Sequence, residues 1–215
     1  MKAEVLLKMS EQPYTTAECD PTKAPKGKAP VLIDDGVQVP DTTFIRMHLE
    51  TKYGIDFDAG LNDADRSIAW AFEKLCEDNL YWIILWERWM VDQNFEAGPI
   101  AFFKSVPKAL RKIVIALVRR QVKRDLHGQG VGRHSRDERM AIAERGIEAI
   151  SHQISDKPYL MGDHPCGADA VVFGTITNML PEIFDTKVRA ITEGHPNLIA
   201  YRDRCMARWY PEFQQ

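Results

Sequence analysis

The side chains best equipped for chemistry are few and scattered. Cys19, Cys76, Cys166 and Cys205 are the only cysteines. A zinc site or a dithiol redox motif sets cysteines a few residues apart, and these four form no such pair. His127, His134 and His164 fall near loops without the paired spacing of metal ligands, so no metal site is expected. Gly128-Gln129-Gly130-Val131-Gly132-Arg133 has the glycines of a phosphate loop, but it follows a helical pattern instead of a strand. It also lacks the Gly-Lys-Ser/Thr ending, and it reads as a plain loop. Asp41 and Thr42 remain, an acid beside a hydroxyl at the start of a helical pattern, where either side chain can satisfy free backbone N–H groups.

The elements that must position this pair are legible on both sides of it. Val5, Leu6 and Met9 have helical spacing, and Pro13 ends that segment. Tyr14 to Glu18 is β-prone, and Asp20 to Lys28, rich in Pro, Lys and Gly, is an irregular connection. Val31-Leu32-Ile33, Asp34-Asp35-Gly36 and Val37-Gln38-Val39 read as strand, turn and strand, because Asp-Gly supplies the positive φ of a tight hairpin. A helix follows, with Phe44, Ile45, His48 and Leu49 on one face and Gly54 as its stop. These elements form an N-terminal unit over 1–54. A linker over 55–61 leads to a second unit, 62–215, in which helical periodicity persists to the end.

The longest helix of that second unit is predicted from Asn62 to Met90, with Ile68, Phe72, Leu75, Trp82, Trp86 and Trp89 along its apolar stripe. Such a stripe either packs in the core or lines a hydrophobic pocket. Further helices are predicted from Pro107 to Leu126, from the Ser135–Glu138 capping box, from near Cys166 and from Pro196.

This order of elements resembles the glutathione-transferase fold, an α+β thioredoxin-like domain followed by an all-α helical bundle. Gly27-Lys28-Ala29-Pro30-Val31-Leu32 resembles the family's segment with a cis-proline before a strand. Tyr159-Leu160-Met161-Gly162-Asp163-His164-Pro165-Cys166-Gly167-Ala168-Asp169 resembles its signature ending in Ser/Thr-x-x-Asp, with Cys166 in place of the usual hydroxyl. Gly194 to Tyr201 is also family-like, and in detail the chain is similar to the branch containing metaxins and failed-axon-connections proteins. The resemblance implies glutathione as co-substrate. Pro30 and Val31 would meet its cysteinyl part, Asp41 and Thr42 its γ-glutamyl group and Lys28 its glycine carboxylate. Against the family's pattern, the first strand and the loop bearing the thiol-activating Ser, Tyr or Cys are expected to be missing from the N-terminus. The catalytic residue is therefore unassigned.

Composition sets the outer bounds. With 45% hydrophobic and 27% charged residues the chain reads as an ordinary globular protein. A net charge of −3 gives no electrostatic reason to expect nucleic acid. Apolar runs such as Ile113 to Val118 fall short of the roughly 20 residues that cross a bilayer, so no transmembrane segment is expected. Unpaired cysteines fit a reducing, cytoplasmic compartment. Lys104, Lys108, Arg111, Lys112, Arg119, Arg120, Lys123 and Arg124 form a basic amphipathic segment, either a solvated face or a contact for an anionic membrane or partner. Two functions follow. One is a glutathione transferase that directs the thiol at an electrophilic small molecule, a homodimer by its resemblance. The alternative is a non-catalytic interaction module on the same fold.

Overall fold

The computed structural model describes residues 1–20 and 23–213. Helix α1 (Lys2–Met9) buries Val5 and Leu6 completely against the helices Thr42–Tyr53 and Asp169–Met179. The β-prone segment Tyr14 to Glu18 forms no strand. Among the described residues the sheet has two strands, and this stretch, mostly exposed, leaves its backbone groups to water. Of the expected connection from Asp20 to Lys28, Pro21 and Thr22 lie outside the described residues.

Strands β1 (Val31–Asp34) and β2 (Val37–Pro40) pair antiparallel, with Val31 opposite Pro40 and Asp34 opposite Val37. Asp35 and Gly36 make the turn with φ of 48° and 79°, two positive values matching the right-handed twist of the strands. Helix α2 (Thr42–Tyr53) ends at Gly54, whose φ of 66° lies where a Cβ is costly. Its buried face is Ile45, Arg46 and Leu49. Phe44, expected inside, is exposed, and a guanidinium is buried instead because the carboxylates of Glu50, Asp58 and Glu73 meet it there.

Helix α3 (Asp63–Lys74), a π-helical segment (Leu75–Leu80) and α4 (Tyr81–Met90) run on from one another, capped at Asn62. Their buried stripe is not the expected row of aromatic residues. Ala69, Glu73, Cys76, Leu80, Ile83 and Glu87 fill the inner face, and Trp82, Trp86 and Trp89 flank it half-buried. Trp86 lies under the Arg139 guanidinium at 3.9 Å, and Trp89 stacks on Phe102 at 6.3 Å between ring centres.

Next come α5 (Asp92–Ala97), a 3₁₀ turn (Pro99–Phe103), α6 (Lys108–Gln129) and a second 3₁₀ turn (Val131–Arg133). Helix α7 (Arg136–Ile154) starts on the capping box: Glu138 N–H donates to Ser135 Oγ at 3.2 Å, and Ser135 N–H to Glu138 Oε2 at 2.7 Å. Helix α8 (Asp169–Met179) is buried along almost its whole length and packs on α1, α9 (Lys187–Glu193), α10 (Pro196–Trp209) and the π segment. A helix apolar all round has to be central, and this one is. Among the described residues no helix is long and apolar enough to cross a membrane.

Candidate functional site

The hairpin and α2 bring the expected site residues to one edge. The Ala29–Pro30 bond is cis. The Asp41 N–H donates to the Pro30 carbonyl at 3.3 Å, closing the entry to β1 onto the start of α2. Asp41 Oδ1 accepts the Thr43 N–H at 3.0 Å, the cap anticipated from sequence, and its Oδ2 lies 3.9 Å from Lys28 Nζ. Asp41 holds φ of 80° and ψ of 134°, a backbone state costing about 1–3 kcal/mol in a residue with a Cβ. Such strain persists only where its surroundings impose it. Here the Pro30 carbonyl and the helix cap impose it together.

The first N–H groups of a helix have no intrahelical acceptor, and Asp41 satisfies only Thr43 among them. The N–H of Thr42 and the helix's positive end thus sit beside the Pro30–Val31 segment, an arrangement suited to a carboxylate. Lys28, Pro30, Val31, Asp41 and Thr42 are drawn together as expected, although Lys28 and Pro30 are exposed and the other three half-buried.

What sequence reasoning missed lies beneath them. Thr42 Oγ1 donates to Glu77 Oε1 at 3.4 Å, and Glu77 also takes the ammoniums of Lys2 and, at 2.6 Å, Lys74. Burial pushes the Glu77 carboxyl up, but the two ammoniums outweigh it and hold the group below its usual value. Lys2 reaches on to Glu73 at 2.9 Å. Glu73 in turn meets Arg46 at 3.3 Å, and Arg46 meets Asp58 at 2.5 Å. Asp58 Oδ1 finally accepts the Gly167 N–H at 3.0 Å, so one chain of charges runs from the candidate site to the start of α8. The signal was present: Glu73 and Glu77 interrupt an apolar stripe four residues apart, and an acid on an inner face demands a cation.

The signature before α8 keeps the acid's half of its motif, while the Asp169 N–H goes to the Cys166 carbonyl at 3.0 Å instead of to a side chain. Asp169 is completely buried, and it accepts from Leu160 N–H at 2.9 Å, Cys166 N–H at 2.8 Å and Tyr201 O–H at 2.6 Å. Burial raises its carboxyl, and the three donors oppose that. The cysteines are free, with Cys19 exposed. Burial pushes the Cys76 thiol up to about 12 and those of Cys166 and Cys205 well above their ordinary value, which makes all three poor nucleophiles.

Comparison with known proteins agrees with this fold. Residues 1–94 match the family described as glutathione S-transferase N-terminal domain, and residues 143–205 match the glutathione S-transferase C-terminal domain. The chain is 30% identical to the isoprene-epoxide–glutathione S-transferase of Rhodococcus sp. (strain AD45), over 84% of this chain and 77% of that protein. It is 25% identical to failed axon connections of Drosophila melanogaster over 90% of this chain, which spans about half, 49%, of that longer protein. Mouse metaxin-2 is 22% identical over 88% of this chain and 73% of its own length. Among solved structures, a monomeric glutathione S-transferase of the hookworm Necator americanus superposes with a TM-score of 0.51 at 14% identity, covering 100% of this chain and 91% of the other.

Proposed function

The chain belongs to the glutathione S-transferase family, and on that premise we propose that it binds glutathione at the Pro30–Asp41 junction and delivers the thiol to an electrophilic small molecule. The observation carrying this reading is the junction itself, where the Asp41 N–H closes on the Pro30 carbonyl. In this reading the backbone of Val31 pairs with the cysteinyl residue. The Thr42 N–H receives the γ-glutamyl carboxylate, its hydroxyl oxygen, with the proton turned to Glu77, accepts from the γ-glutamyl ammonium, and Lys28 leaves Asp41 for the glycine carboxylate. Glu77 fixes the direction of the Thr42 hydroxyl. A relative named for both glutathione and an epoxide supports an epoxide-like electrophile. The sulfur–carbon bond would form as the ring C–O bond breaks, and the proton lost by the thiol would end on the released oxygen. The free thiols fit a reducing, cytoplasmic setting.

The test is mass-spectrometric detection of the adduct from glutathione and a simple alkyl epoxide. The chain should form it faster than a protein-free control, and Thr42→Ala should lower kcat/KM by about tenfold. A rate equal to the control sinks the catalytic reading. Saturable glutathione binding without adduct would favour a second reading, a non-catalytic interaction module, for which the exposed basic face of α6 speaks.

A further inference from the structure

We infer that the outer face of α6 docks on an anionic lipid surface. The helix is anchored on one side only. Arg119 donates to the carbonyls of Trp89 at 3.0 Å and Met90 at 3.4 Å and pairs with Asp92 at 2.6 Å, while Leu126 is its one fully enclosed side chain. That anchoring leaves Leu110, Ile113 and Leu117 on the far side, 53%, 60% and 61% exposed. At 100° per residue these three fall within an arc of roughly 60°, a single apolar stripe that the fold leaves uncovered. Phe102, in the turn just ahead of the helix, is 74% exposed and adds a fourth large apolar group.

Charge decides what covers the stripe. From Lys104 to Arg124 there are eight cations and no acid, in a chain whose net charge is −3. Several of them, Lys108, Lys112, Arg120 and Lys123, are exposed and make no ion pair among the described residues. Arg120 sits on the rim of the apolar arc and Arg124, also exposed, falls within it, while Lys123 and Lys112 lie farther round, about 80° and 100° from the nearer edge. A second copy of the chain meeting this face through a two-fold axis would set those cations against their own images, which is repulsive. Nucleic acid would satisfy the cations but leave the apolar centre in water. A bilayer with acidic headgroups answers both features, since acyl chains receive Leu110, Ile113 and Leu117 while phosphates and carboxylates receive the rim. The Lys and Arg stems add apolar length and keep their charges at headgroup level.

The experiment is flotation of the full chain with vesicles of phosphatidylcholine mixed with phosphatidylserine, beside vesicles of phosphatidylcholine alone. The mixed vesicles should bind at least about tenfold more protein, and high salt should abolish the difference. Leu117→Asp, and separately Arg120→Glu with Arg124→Glu, should each remove binding with the melting temperature unchanged, because all three side chains are exposed. Equal binding to both vesicles, no binding to either, or variants that bind as the parent would each overturn the inference. So would self-association in light scattering that Leu117→Asp abolishes without any lipid binding, which would assign the face to a second copy.

Discussion

At the scale of single residues, two acids show how position sets the worth of a carboxylate. Asp169 gathers three donors in a fully buried site, so Asp169→Ala leaves all three unpaired and should cost about 3–5 kcal/mol, against about 1–2 kcal/mol for Tyr201→Phe. Urea midpoints of the two variants check the ratio, and similar losses would contradict it. As a helix cap alone Asp169 would be worth about 1 kcal/mol; its burial beside Tyr201 depends on a contact 32 residues away that no local pattern encodes. Asp34 is the opposite case. Lys52, then His48 and Tyr53, hold its carboxyl down at about 2. Because the folded value is depressed, its contribution is present above the ordinary carboxylate value of about 4 and is lost as pH falls toward 2. Asp34→Asn should flatten the acid limb of the unfolding midpoint between those values, by less than about 1 kcal/mol, since the pair is near the surface. An unchanged slope would contradict the assignment.

At the scale of elements, the hairpin, the capped start of α2, the Ser135 box and the Pro196 helix start were all readable, because each is set by residues within a few positions of one another. The β-prone stretch Tyr14 to Glu18 was misread for the converse reason: a strand is made by its neighbour, and no described strand pairs with it. The apolar stripe of α3 to α4 was also misplaced. Tryptophans dominate any hydrophobic count, yet Glu73 and Glu87 take inner positions while the indoles flank them. Two glycines test how tightly elements meet. A Cβ on Gly167 would lie 2.3 Å from Arg46 Nη1, so Gly167→Ala should cost about 1–3 kcal/mol. Gly174, inside α8, has no atom nearer than 3.9 Å to such a Cβ, and Gly174→Ala should stabilise by about 0.5–1 kcal/mol. Thermal midpoints moving the same way in both would refute this account of the room at the two glycines.

At the scale of the molecule, the candidate site is not a detachable loop feature, because its floor is the charge chain from Glu77 through Lys2, Glu73 and Arg46 to Asp58. Arg46→Ala leaves the enclosed Asp58 without its cation and Glu73 with its lysines only, and should cost about 3–5 kcal/mol, measured by denaturant unfolding. The fold was legible as an order of elements; this linkage, joining residues more than a hundred positions apart at Asp58 and Gly167, was not. The central claim is that the Pro30–Asp41 junction receives glutathione with its γ-glutamyl end at the start of α2. It is tested most directly by isothermal titration of the full chain with glutathione and, in parallel, with the Cys-Gly dipeptide that lacks the γ-glutamyl group. The account predicts saturable heat at one site per chain for glutathione, and affinity weakened by at least about tenfold for the dipeptide and for Thr42→Ala alike. No saturable heat with glutathione, or equal affinity for the two peptides, would contradict it.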